Sequence, residues 1–360
     1  MPEFWKDQLT GRITDLPGFA KRLNLDPAEF EGLEERLAFS LTPYYAGLCL
    51  EEPQLLRTVL PSPLELTKQP FELLDPMLEE PNSPTKVLVH RYPNRVLFLL
   101  TPHCPVYCRY CTRSRKVGKS DQKLSRADWQ EAIDWIKRHP EIEEVILSGG
   151  EPLMLSDSSL AWVLDALDQI PHVQFLRFST KAVAVMPQRI TDKLAQLFGQ
   201  FPTLLLNLHF THPKEITEES ESAIKKLRDA GVMLASQTVL LMGVNEEPQV
   251  LASLFKGLYR NGVRPYALYL CDWIAGADHF RIGPSRALET MAELRKLLSG
   301  VMIPKLIADP PGGKVDIGQP LQQVEGGAKL INWKGQVKFW PELNESRTPK
   351  NDHRKQNDPA

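Results

Sequence analysis

The chain has 360 residues, with 43 Lys and Arg against 45 Asp and Glu, a formal charge of −2 and only five cysteines. Hydrophobic residues make up 42% of it. These values exclude a disordered chain, a disulfide scaffold and a general polyanion binder, and they allow one large α/β domain or two medium ones.

The N-terminus, MPEFWKDQLTGRITD, places charges among its apolar residues and has no secretory core. Runs such as RVLFLL and PTLLLNLHF are far shorter than the ~20 residues that span a bilayer. An odd, sparse set of cysteines fits a reducing compartment. The expectation is a cytoplasmic protein without a membrane segment. Residues 1–90 read as a packed helical extension with proline-rich breaks, and DPAEFEGLEERLAFSL and EEPQLLRTVL are its helical patterns. The thirty prolines are scattered, which suggests ordered turns rather than a linker.

From Val96 the texture changes to short β-rich runs alternating with amphipathic helices. The runs are 95–100, 144–147, 173–178, 204–210, 232–241 and 266–270. Between them lies SRADWQEAIDWIKRHP, where Ser125 and Asp128 form a capping pair and Trp129, Ile133 and Ile136 recur at helical spacing. SSLAWVLDALDQI is a second helix, and EESESAIKKLRDAG a third that stops at Gly231. Such alternation predicts a parallel sheet with crossover helices, about six units in all, and sites at the C-terminal ends of the strands. The division expected is 1–90 for the extension, 91–300 for the barrel core, 301–340 for a C-terminal segment and 341–360 for a tail disordered from about Glu345.

Three of the five cysteines, Cys104, Cys108 and Cys111, fall within eight residues as C-x3-C-x2-C. Three thiolates can hold three irons of a cubane and leave the fourth open, whereas ferredoxin runs use four cysteines. The alternative is structural zinc completed by His103 or His90, and a third reading is buried thiols with no ligand. The neighbouring Arg109, Arg115, Lys116 and Lys119 read as a solvated basic face; without interleaved aromatics they do not form a nucleic-acid platform. About forty residues on, directly after a β-run, comes VILSGGEPL, whose Ser148, Gly149, Gly150 and Glu151 let the backbone approach a ligand closely.

These two elements resemble the radical S-adenosylmethionine (SAM) enzymes. That resemblance implies a partial (β/α)6 TIM-like barrel and a [4Fe-4S] cluster whose open iron chelates SAM, which is then cleaved to a 5'-deoxyadenosyl radical. A narrower resemblance covers about residues 85–335 through HRYPNRVLFLLT, CPVYCRYCTR, LSGGEPLM, LNLHFTHPKEIT, SQTVLLMGVNE, VRPYALYLCD and ADPPGGK. It is to the lysine 2,3-aminomutase family, whose members also bind pyridoxal 5'-phosphate (PLP) and turn an α-amino acid into a β-amino acid. The family pattern implies a Schiff base on Lys314, with Arg91 and Arg95 at the PLP phosphate and Tyr269 beneath its ring. It puts Lys181, His209 and Gln237 near SAM beside the glycine loop. It puts Arg113 on the substrate α-carboxylate, and Asp272 and Asp309 on the ε-ammonium of lysine.

Three departures stand out. Lys314 follows two glycines where the familiar lysine enzymes have four. Lys181 stands in place of an arginine, so charge is kept and the bidentate fork is lost. No cysteine follows Cys271, so the intersubunit zinc of longer relatives is not expected. The resemblance implies free L-lysine as substrate, a homodimer, and reduction by flavodoxin or ferredoxin. Arginine, ornithine or a lysine of elongation factor P are the alternatives, although the branch acting on that factor lacks the acid matching Asp309. Glutamate-acting relatives carry a lysine and an asparagine in place of the two acids. A non-catalytic iron–sulfur module is the reading of another class; it would leave Lys314 unmodified and Arg113 dispensable.

Overall fold

A computed structural model describes residues 4–67, 69–118, 124–317 and 322–342. The elements run in chain order from four N-terminal helices, α1 (Phe4–Thr10), α2 (Leu16–Arg22), α3 (Pro43–Glu51) and α4 (Pro53–Arg57), to the hairpin β1 (Leu88–Tyr92) and β2 (Arg95–Thr101). The alternating part follows as α5 (Arg126–Lys137), β3 (Glu144–Gly149), α6 (Asp157–Asp168), β4 (Phe175–Thr180), α7 (Ala182–Val185) and α8 (Asp192–Phe198). It continues with β5 (Leu204–His209), α9 (Glu218–Asp229), β6 (Met233–Leu240), α10 (Pro248–Arg260), β7 (Arg264–Leu270), α11 (Pro284–Leu297) and β8 (Lys305–Ala308). The chain then forms β9 (Val315–Asp316) and a separate antiparallel sheet of β10 (Gln322–Val324), β11 (Gly327–Ile331) and β12 (Val337–Pro341).

Strands β1 to β9 lie side by side in sequence order. Pairs from β2–β3 to β7–β8 are parallel, joined by six helical crossovers, while β1 and β9 close the two edges as antiparallel additions. This is the expected (β/α)6 partial barrel, open among the described residues. Partners in a parallel sheet share a face. The register therefore sets His209 beside Gln237, Val239 beside Tyr269, and Tyr269 beside Ile307.

Local signals explain most boundaries. Ser125 caps α5: its hydroxyl accepts from the Asp128 amide at 3.3 Å, and its own amide donates back to the Asp128 carboxylate at 2.6 Å. Trp129, Ile133 and Ile136 are buried, and the Trp129 indole donates to the Leu100 carbonyl at 3.2 Å. Gly231, at φ 84°, ends α9, and the Val232 amide donates back to the Leu227 carbonyl. Val232 thus belongs to the helix stop, so β6 begins one residue later than the apolar run. Val173 is held in the same way by Ile170, and β4 begins at Phe175.

The extension departs from its pattern. DPAEFEGLEERLAFSL forms two 3-10 turns, Pro27–Phe30 and Leu33–Glu35, because Gly32 between them takes φ 76° and breaks the helical path. In EEPQLLRTVL Glu51 ends α3 and Pro53–Arg57 forms α4, so the run is broken at Glu52. Trp5, Phe19, Phe39 and Tyr45 share one core with Val96, Phe98 and, from the far end, Trp340. β1 runs across the expected boundary at residue 90, so the extension is continuous with the sheet edge. The expected disordered tail lies outside the described residues.

Candidate active site

The loop after β2 carries the three cysteines. Its ends are drawn together where the Gly118 amide donates to the Pro102 carbonyl, and a turn joins Cys111 N–H to the Cys108 carbonyl at 3.1 Å. The extension grips it through backbone and side chain alike. Arg12 donates to the Cys104 carbonyl at 3.3 Å, Tyr107 N–H to Ser40 at 3.1 Å, and Arg109 N–H to Thr58 at 2.8 Å.

Arg109 corrects the solvated-face reading. Its guanidinium is fully buried, bidentate on Glu65 at 2.8 and 2.6 Å, and donates to the Leu37 carbonyl at 2.7 Å. Arg36 shares Glu65 at 2.9 Å. Arg115 likewise pairs with Asp75, Glu79 and Glu80. Lys119 lies outside the described residues.

All three thiols are free of disulfides. Burial pushes each of them up, Cys108 to about 11, and Cys104 and Cys108 are raised further by neighbouring thiols. Lys181 pulls Cys108 back, and Arg113 does so for Cys104 and Cys111. Leu37, Tyr107 and Val117 form an apolar patch against Cys104 and Cys111. Among the described residues no three His, Cys, Asp or Glu side chains gather around one metal ion. Neighbouring thiols in an apolar pocket, with cations at hand to favour thiolate, fit an iron–sulfur cluster.

Across the loop stands the end of β3. A Cβ on Gly149, at φ 137°, would lie 2.3 Å from the Thr101 carbonyl, and one on Gly150 would lie 2.3 Å from that of His103. Glycine is required here because two backbones touch. Glu151 N–H donates to the His103 carbonyl at 2.7 Å, so the glycine loop is locked onto the cysteine loop. The Glu151 carboxylate is taken up by the Thr180 hydroxyl at 2.6 Å and the amides of Lys181 and Leu153 at 2.8 and 3.0 Å. Its side chain therefore shapes the loop rather than reaching outward.

Lys181 is also engaged, with Glu215 at 2.8 Å and Thr211 at 3.0 Å. Tyr45 donates to the same Glu215 at 2.7 Å. His209 is different. Burial first, then Lys181, Arg113 and Lys314, push it down to about 3, so its ring is neutral, and its Nε2 is buried without a partner in the protein. The Gln237 side-chain oxygen accepts from Asn207 at 2.6 Å, which leaves Asn207 Oδ1 buried and unpaired. These inward-facing polar atoms, beside a glycine edge with no side chain, fit the polar groups of SAM. Asn207 was not expected from sequence; its place two residues before His209 on one strand face was the available signal.

On the other side, the ends of β7 and β8 bring together Tyr269, Asp272, Asp309 and Lys314. Lys314 Nζ donates to the Tyr269 hydroxyl at 2.9 Å and lies 4.8 Å from the ring centre. The side chain is accessible to solvent yet crowded by protein, as expected inside an open cleft. Burial works against its charge, but Tyr269 and Asp309 outweigh that and the ammonium is held above its ordinary value. Asp272 is pushed up to about 8, first by burial and then by Asp309, and its Oδ1 is buried without a partner. Arg91 donates to Asp309 at 3.0 Å. Arg95 instead stacks on Tyr92 at 3.9 Å and bonds Asn94. Arg113 bridges the halves, on Glu79 at 2.7 Å and on the Gly149 carbonyl at 3.4 Å. An accessible amine beside an aromatic ring, with Arg91 on the neighbouring Asp309, fits PLP.

Residues 98–254 match the radical SAM superfamily. The chain is 40% identical over 321 residues to the L-lysine 2,3-aminomutase of Methanococcus maripaludis, covering 86% of this chain and 74% of the relative. It is 38% identical over 316 residues to the L-lysine 2,3-aminomutase of Haemophilus influenzae, covering 86% and 93%. The glutamate 2,3-aminomutase of Clostridioides difficile is 37% identical over 345 residues, covering 92% and 81%. With the cysteine loop, the glycine cradle and the lysine cleft all in place, the chain belongs to the lysine 2,3-aminomutase family of radical SAM enzymes.

Proposed function

We propose that this protein converts free L-lysine to L-β-lysine by moving the amino group from C2 to C3. The observation that carries the choice of substrate is the unpartnered, buried oxygen of Asp272 beside Asp309. A cation there gains a charge-assisted hydrogen bond and relieves the repulsion between the two acids. A second carboxylate, as in glutamate, would add to it.

When bound, the cluster and SAM supply hydrogen abstraction and return at substrate carbon, and PLP supplies the electron sink for the nitrogen shift. The chain's own residues position the reactants. Arg113, held by Glu79 and the Gly149 carbonyl, receives the α-carboxylate between the cysteine and lysine sides. Asp272 receives the ε-ammonium, with Asp309 as the second acid. Arg91, paired with Asp309 at 3.0 Å, would hold the PLP phosphate. Lys314 must give up a proton to act as a nucleophile; the Tyr269 hydroxyl, hydrogen-bonded to its Nζ at 2.9 Å, orients the amine, and the proton leaves to the solvent to which the side chain is open. The neutral His209, with its free Nε2, and the glycine cradle beside the cysteine loop are the groups that would hold SAM. Holding both ends of the substrate fixes which carbon faces SAM.

An electron from flavodoxin or ferredoxin, a homodimer and a cytoplasmic setting complete this reading, on family grounds. No helix among the described residues is long and apolar enough to cross a membrane. The test is anaerobic reconstitution with iron, sulfide, SAM and PLP. Mass analysis then follows incubation with L-lysine, L-arginine, L-ornithine, L-glutamate or elongation factor P. Lysine should be turned over with kcat/KM at least about 10²-fold above the others. Absence of β-lysine would sink the reading, and modification of elongation factor P alone would move the substrate to a protein-bound lysine.

A further inference from the structure

The loop that carries Lys314 is short, and little within it fixes its path. Gly312 and Gly313 both take positive φ, 106° and 129°, and the internal restraint is one bond from Gly313 N–H to the Pro310 carbonyl at 3.0 Å. Its other restraints come from the turn between β11 and β12 and from β1. Asn332 is buried; its Nδ2 donates to the Gly312 carbonyl at 3.3 Å, and its Oδ1 accepts from the amides of Lys334 and Gln336 at 3.0 Å each. The Trp333 indole lies where a Cβ on Gly313 would be, 2.7 Å from that position, so ring and backbone are in direct contact. Trp333 also packs against Tyr92, with ring centres 5.6 Å apart, and Tyr92 accepts the Lys314 N–H at 2.9 Å. Arg95 lies over the same Tyr92 ring.

We infer that Asn332 and Trp333 are positioning residues: through the backbone of Gly312 and Gly313, and through Tyr92, they set where Lys314 Nζ stands against Tyr269. This rests on the reading of Lys314 as the PLP lysine. A glycine pair at positive φ is otherwise free to take several paths, and a displacement of about 1 Å of a reacting group costs up to about 10²-fold in rate. The flat indole leaves no room for a side chain at Gly313, and Asn332 Nδ2, 2.7 Å from where a Cβ on Gly312 would lie, crowds one there.

The experiment uses the full chain reconstituted with iron, sulfide and limiting PLP, reduced with borohydride and mapped by peptide mass. Trp333→Ala should lower pyridoxal labelling of Lys314 about tenfold and lower kcat more than it raises KM, with iron content unchanged. Trp333→Phe keeps a flat ring and should restore labelling to within about threefold, and Asn332→Ala should give a loss between the two. Parental labelling and turnover in Trp333→Ala would overturn the inference. So would Trp333→Phe failing as badly as Trp333→Ala while iron and Tm fall in step, since that is the mark of a merely structural role. Labelling of a different lysine in the parent protein would remove the underlying reading and the inference with it.

Discussion

The cysteine side and the lysine side of the cleft are built on opposite plans. On the cysteine side the charges close on one another inside the protein: Arg109 and Arg36 on Glu65, Lys181 on Glu215, Arg115 on Glu79. On the lysine side Arg91 closes on Asp309, but one acid is left without a hydrogen-bond partner. Asp272 is buried with an unpaired oxygen and kept from ionising by burial and by Asp309, and Lys314 stands open beside Tyr269. The first plan makes a rigid scaffold for permanent cofactors. The second stores an unfavourable arrangement that a cationic substrate relieves, which is how a site selects one ligand without being tight everywhere.

The contrast can be broken most sharply at the cysteines. Cys108→Ala should remove the cluster and lower β-lysine formation by about 10³-fold or more, read as iron content and product mass. Cys49→Ala should keep both, because that thiol is buried in the extension core. Equal loss in the two variants would show that the cysteines act through packing. The scaffold claim is tested by Glu65→Ala. It leaves Arg109 buried without its partner, and removing one member of a buried pair costs about 3–5 kcal/mol. Chemical denaturation should show that loss; a change within error would mean that Arg109 reaches water.

The smallest effect sharpens the substrate end. Burial and Asp309 hold Asp272 protonated below about pH 8 in the ligand-free chain. Lysine binding below that pH must release this proton, so KM for lysine should fall as pH rises from 6 toward 8, at most about tenfold per unit. Calorimetry in buffers of different ionisation enthalpy should record the released proton, and Asp272→Asn should abolish both signals. A flat KM in the parent would place the ammonium elsewhere.

Much of the barrel was legible because its strands are long, buried and separated by well-capped helices, as Ser125 and Gly231 illustrate. The 26–41 stretch was misread as helix because its apolar spacing is helical and only the backbone of Gly32 reveals the break. The solvated reading of Arg109 failed for another reason. Its partner Glu65 is 44 positions away, and no local pattern announces a buried ion pair over that separation. The C-terminal sheet escaped notice because its strands are three to five residues long and mix Lys, Trp and Gly with apolar residues.

By itself the sequence determined which chemistry is present. C-x3-C-x2-C, the glycine pair after a β-run and the lysine after DPPGG each depend on residues a few positions apart, so local order suffices. It also settled the alternation of strands and helices, since hydrophobic period is a local property. Only the tertiary structure decided how those pieces meet. It set His209 among Lys181, Arg113 and Lys314, paired Arg91 with Asp309, left Asp272 unpaired and laid Trp333 against Gly313. Those relations depend on burial and on contacts between segments up to 218 residues apart, as for Arg91 and Asp309. Burial and charge at such range exist only once the chain has folded.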